Sequence, residues 1–189
     1  MNGGDFLVEN GTFKYKLLSA MVMAGEYPYK SLDIMMESPL RKREVISQLK
    51  EKGYIDIKVV HKIKRIKFKL YDKKKQEICS DLFQGAEKYK PNEKTRANER
   101  KLERIDRIAE VFVMMMEAGV NVTPDTKPSV IEKNEIEETD FRLPYFITSL
   151  EARSIFEIKE DKGKGARFHG TLASKGGLYN IYNMGDSMM

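Results

Sequence analysis

SPLRKREVISQLKEKGYIDIKVVHKIKRIKFKLYD, residues 38–72, is the stretch on which the reading of the chain turns. Its first half carries the marks of a helix. Ser38 can cap the first free N–H groups, and Pro39 stands at the first helical position, where a missing N–H costs nothing. Gly53 follows Lys50-Glu51-Lys52, which sets a permissive residue at the C′ position and two cations near the negative end of the dipole. Val45, Ile46 and Leu49 form one apolar stripe at helical spacing, and Arg41, Arg43, Glu44, Ser47 and Gln48 fall on the opposite, polar face.

The second half changes to period two. Ile55, Ile57 and Val59 alternate with Asp56 and Lys58, and Ile66, Phe68 and Leu70 alternate with Arg65, Lys67 and Lys69, the pattern of a half-buried hairpin. The connection Val60-His61-Lys62-Ile63-Lys64 holds no Asn-Gly turn, so a longer loop is expected at the tip. Upstream, Thr12 caps a helix running to Ala24 with Gly25 as its stop, and Pro28 opens a shorter second helix. Three short helices followed by a hairpin give the order of a winged helix-turn-helix over residues 1–75.

The charge pattern agrees with that order. Lys58 to Lys75 contains nine basic residues against a single acid, Asp72, and a local field of that sign favours polyanions. Double-stranded DNA is the expected partner. Arg41, Lys42, Arg43, Ser47 and Gln48 are assigned to the major groove, and Lys62, Lys64, Arg65 and Lys67 to the backbone or the minor groove. A pair of half-sites raises affinity, so a homodimer is expected. The same helix and hairpin also suit a protein-interaction module, since winged helices serve in that role too, and Glu44 and Glu51 on the polar face temper its positive charge.

Composition bounds the alternatives. The chain has 189 residues, 41% of them hydrophobic and 33% charged, with a net charge of +5. No apolar run approaches the ~20 residues that span a bilayer, and the N-terminus lacks a secretion signal, so a cytoplasmic protein is expected. Cys79 is the only cysteine, which excludes an internal disulfide. With His61 and His169 as the only histidines, neither a metal nor another cofactor is expected.

Residues 76–97 read as a linker: polar, with a short helix around Ile78, Leu82 and Phe83. Asn98 then caps a long helix to Ala118 with the stripe Leu102, Ile105, Ala109, Phe112, Val113 and Met116, stopped by Gly119. Acidic loop follows, and strands are expected at Tyr145–Ile147, Ile155–Ile158, Arg167–Ala173 and Leu178–Tyr182. Residues 98–189 therefore read as a small α+β domain, the long helix packed on a mainly antiparallel sheet. The chain stops straight after a strand, as a fragment would, or a sheet completed by a partner.

One catalytic pattern is present. Asp140 followed by Glu157-Ile158-Lys159 has the acid, then acid-x-Lys order of metal-dependent nucleases, in which two carboxylates hold a divalent ion and the lysine assists the attacking water. Glu157 and Lys159 are equally explained as the solvent side of a strand lined by Phe156 and Ile158, and no cleavage is expected. The Gly53-Tyr54-Ile55 step, the Lys69-Leu70-Tyr71 exit, the long helix, Arg167-x-x-Gly170 and Tyr179-Asn180-Ile181-Tyr182-Asn183 together resemble the replication-relaxation proteins of Gram-positive plasmids and integrative elements. The resemblance implies a winged helix ahead of a reduced restriction-endonuclease-like domain. It also implies DNA handling for a mobile element in replication, transfer or transcriptional control, alongside proteins of the replication or transfer machinery.

Overall fold

The computed structural model describes residues 8–69, 78–79, 81–83, 99–124, 143–149, 151 and 168–182. The fold is mixed α+β and divides into two compact units, residues 1–117 and 118–189. The first contains α1 (Phe13–Ala24), β1 (Glu26–Pro28), a 3-10 helix (Tyr29–Ile34), α2 (Pro39–Glu51), β2 (Ile55–Val60), β3 (Ile63–Phe68) and α3 (Glu99–Glu117). The second contains β4 (Tyr145–Thr148), β5 (Phe168–Ser174) and β6 (Gly177–Tyr182).

The helix ends follow their capping residues. Thr12 Oγ1 accepts from Tyr15 N–H at 3.2 Å, and Ser38 Oγ accepts from Arg41 N–H at 3.2 Å. At the far end of α2, Gly53 takes φ +74°; its N–H donates to Lys50 O at 3.0 Å and Tyr54 N–H donates to Leu49 O at 2.9 Å. These are the two bonds of a Schellman motif, and they turn the chain out of α2 into β2.

The sheet of the first unit has the order β1-β3-β2, antiparallel throughout. Pairing sets Tyr27, Ile57 and Ile66 on one face and Glu26, Pro28, Arg65 and Lys67 on the other. Tyr27, Ile55 and Ile66 are wholly buried and join Leu17, Leu18, Met21 and Val22 of α1 in the core. Val59 departs from the apolar row read in the sequence: it pairs with Lys64 towards the hairpin tip and is 70% exposed.

The long helix packs on α1, β1 and the 3-10 helix. It thus belongs to the first unit rather than to the sheet that follows, so the expected boundary at residue 98 moves to 117. The reason is a set of polar contacts from one side of the helix. Asp106 receives Arg65 Nε at 3.1 Å and Nη2 at 2.6 Å. Glu110 accepts from Ser31 Oγ, and Glu117 receives Lys16 Nζ at 2.8 Å and the Met36 N–H at 2.9 Å. Leu102, Ile105, Ala109, Phe112 and Val113 are buried beside them, as the helical spacing predicts. Ile78, Cys79, Leu82 and Phe83 are buried as well, so this part of the expected linker contributes to a core.

In the second unit β5 pairs with both β4 and β6, and the Lys175-Gly176 turn closes the β5–β6 hairpin where glycines predict it. A Cβ at Gly170 would overlap the Ile147 carbonyl oxygen and lie 2.5 Å from the Phe146 ring, so the close approach of β4 and β5 there requires glycine. The expected strand at 155–158 lies outside the described residues. β6 leaves Leu178, Tyr179 and Tyr182 exposed.

Two measurements check the packing. Asp106→Ala leaves the buried Arg65 guanidinium with Glu26 as its one remaining carboxylate among the described residues and is expected to lower stability by about 3 kcal/mol, whereas Arg65→Met combined with Asp106→Leu and Glu26→Gln, which removes all three buried charges, should recover most of that loss; urea midpoints compare the variants. Burial pushes the Cys79 thiol up to about 11. A thiol-specific reagent at pH 8 should therefore label Cys79 only in denaturant. Because the folded value is raised, the stability this thiol contributes is complete below its unfolded value near 9 and is lost as pH climbs through 11.

Candidate nucleic-acid interface

The apolar stripe Val45, Ile46 and Leu49 ties α2 to the core and leaves Leu40, Arg41, Arg43, Glu44, Ser47, Gln48, Lys50 and Glu51 exposed. Of the residues assigned to the major groove, Lys42 is the exception. It sits one turn ahead of Val45 and Ile46, extends their stripe, and is only 8% exposed, so its stem packs rather than reaching outward. Arg41 Nη1 lies 3.4 Å from Glu44 Oε2 with both side chains about half exposed, an ion pair that solvent screens and a phosphate can displace at little cost. Ser47 donates to Glu51 at 2.8 Å. Among the described residues no carboxylate pairs with Arg43.

The hairpin is tighter than expected. Val60 pairs with Ile63, which leaves only His61 and Lys62 in the turn, at φ +47° and +62°. Two left-handed residues form a type I′ turn, whose twist matches that of the strands it joins. Non-glycine residues there cost about 1–2 kcal/mol each. The pairing along the length of β2 and β3 offsets that cost.

This register sorts the four hairpin cations. Lys62 is exposed at the turn, and Lys64 is exposed with its Nζ 4.1 Å from the centroid of the Tyr29 ring, a cation–π contact that positions it. Lys67 pairs with Glu26 at 2.7 Å and is 28% exposed. Arg65 is fully buried: besides its two bonds to Asp106, it donates from Nη1 to Val60 O at 2.7 Å and lies 3.2 Å from Glu26 Oε1. Its assignment to nucleic acid is therefore corrected, because the guanidinium is closed off from solvent and bonded through all three nitrogens inside the protein. Lys58, 63% exposed beside Asp56, and Lys69 add outward charge beyond the four cations assigned to the hairpin.

Comparison of the chain with family models, with curated proteins and with solved structures finds no match in any of the three. The resemblance to the replication-relaxation proteins rests on the residues quoted for it. Asp140, Glu157 and Lys159 lie outside the described residues. Among the described residues there is no group of three or more His, Cys, Asp or Glu that could hold a metal ion, and no helix is long and apolar enough to cross a membrane.

A small notch opens where α2 ends, lined by Lys14, Val45, Gln48, Leu49, Lys52 and Tyr54. Lys14 comes from the first turn of α1, a proximity no local pattern announces. Its ammonium is held below the usual lysine range, first by burial and then by the charge of Lys52.

The turn offers a direct test. Lys62→Gly removes a strained left-handed side chain and is expected to raise stability by about 1 kcal/mol in urea denaturation. Lys64→Gly, two positions on and inside β3, should lower it by a similar amount.

Proposed function

We propose that the first unit is a winged helix-turn-helix that binds double-stranded DNA, with α2 in the major groove and the β2–β3 hairpin as the wing. The observation that carries this reading is the sorting of cations by the fold. Arg41, Arg43 and Gln48 are held outward on a helix whose other face is core, while Lys62 stands exposed in the two-residue turn and Lys64 exposed beside it on β3. The element order and the β1-β3-β2 sheet support it, since that arrangement sets a helix beside a projecting hairpin. Through the resemblance described above, the duplex would belong to a plasmid or integrative element.

In this reading Arg43 and Gln48 read base edges, Arg41 trades Glu44 for a phosphate, and Leu40, 67% exposed, is placed for a thymine methyl. Lys58, Lys62, Lys64 and Lys69 neutralise backbone phosphates. A second reading, a protein-docking surface, draws on the exposed Met36, Leu40 and Val59, at 80%, 67% and 70%.

Fluorescence anisotropy against a pool of labelled duplexes separates the two. Lys62→Ala with Lys64→Ala should weaken binding to every duplex and flatten the salt dependence by about 0.9 for each phosphate left without its lysine. Arg43→Ala should cost about 1–3 kcal/mol on the preferred sequence and much less on the others. No retention of any duplex at low salt would replace DNA binding with the docking reading.

A further inference from the structure

Within the duplex-binding reading above, we propose that Glu117, at the end of α3, is a positioning residue for the base-reading half of α2: it touches no nucleic acid and sets where Leu40, Arg41 and Arg43 stand in the groove. Both oxygens of its carboxylate are used. Oε1 accepts from the Met36 N–H at 2.9 Å, and Oε2 accepts from Lys16 Nζ of α1 at 2.8 Å. Only 9% of the Glu117 side chain is exposed, and Lys16 is nearly as enclosed at 16%, so the carboxylate is fixed in place.

The need for such a residue follows from how α2 is anchored. Its apolar stripe begins at Val45, and ahead of that only the stem of Lys42 packs inward. Leu40, Arg41 and Arg43 precede the stripe and are exposed, so the chain entering the helix decides where they stand. That entry is a short series of bonds. Met35 is buried, the Glu37 N–H donates to Met35 O at 2.9 Å, and Ser38 Oγ accepts from the Arg41 N–H at 3.2 Å. Between them the Met36 side chain is 80% exposed and holds nothing; its N–H, bonded to a charged acceptor, is what ties the entry to α3. The hairpin does not share this anchor, because the β2–β3 pairing carries Lys62 and Lys64. Glu117 therefore bears on base reading and leaves phosphate neutralisation to the wing.

Anisotropy on the full chain, with the preferred duplex and with non-preferred ones, tests this. Lys16→Ala with Glu117→Ala keeps the net charge and removes the Met36 acceptor. It should cut the preferred-to-non-preferred affinity ratio by about fivefold, the low end of what one base contact is worth. Non-preferred binding and the salt slope should stay at wild type. Lys16→Gln with Glu117→Gln should restore most of the ratio, since the two carboxamides can pair and still offer Met36 an acceptor. Met36→Pro deletes the same N–H without touching the ion pair. The Glu37-to-Met35 bond closes an inverse γ-turn with Met36 at its centre, where proline fits, and the ratio should fall as in the alanine pair. Circular-dichroism melts show which variants fold. A wild-type ratio in the folded alanine pair, or in Met36→Pro where that pair does not fold, overturns the role of Glu117 and leaves DNA binding standing. A loss spread evenly over all duplexes, as a general loosening of the fold would give, overturns it too. A wild type that holds all duplexes equally removes the role together with base reading, and one that retains none removes DNA binding itself.

Discussion

Arg65 and Asp106 form the contact on which the arrangement of the first unit depends. A guanidinium with no solvent exposure is tolerable only if its donors are satisfied, and here two go to one carboxylate, one to the Val60 carbonyl, and Glu26 adds a second charge at 3.2 Å. Those partners lie on a helix, the hairpin and the edge strand. The cost of burying the charge is offset only when all three are in place, so the contact selects one docking of α3 against the sheet. That is a gain in specificity of packing more than in net stability, since a well-packed apolar replacement avoids the desolvation altogether.

The other acids of α3 extend the same logic towards the elements of the proposed interface. Glu110 holds Ser31 of the 3-10 helix, and Glu117 holds both Lys16 of α1 and the Met36 N–H just ahead of α2. Tyr27 connects to this set by donating to Ser31 O at 2.8 Å; burial, and then the negative charges of Glu110 and Glu117, push its phenol up. The helix ends at Glu117, and the second unit begins at the next residue. A shift of α3 has to break charged contacts at three separate elements, which makes their geometry discrete rather than continuously adjustable.

Positive charge thus serves two ends in this chain. Arg65, Lys67 and Lys16 are committed to the interior or its margin against Asp106, Glu26 and Glu117. Arg41, Arg43, Lys62 and Lys64 remain outward, on side chains whose internal contacts are weak enough to be exchanged. A tight turn contributes to that division, because a short connection fixes where Lys62 points and spares the ordering entropy a long loop would lose on binding.

The sequence by itself determined the local structure: the caps at Thr12 and Ser38, the stop at Gly53, the period-two runs Ile55 to Val59 and Arg65 to Phe68 within the two strands, the stripe of the long helix, and the glycine turn after Ser174. Each depends on neighbours a few residues apart, where propensity and hydrogen bonding act directly. Only the tertiary structure decided which partner the long helix takes, which basic residues are interior and which side chains meet at the notch. Arg65 and Lys67 alternate along β3 just as outward residues do, and nothing local reports that Asp106, 41 residues away, covers one of them. Lys42 reads as surface charge because its pattern with Val45 and Ile46 is apolar only along its stem. The His61-Lys62 turn is illegible for the opposite reason: the pairing of the two strands imposes a left-handed backbone that neither residue prefers. Burial and charge pairing are settled by contacts distant in sequence, and those are formed by the fold as a whole.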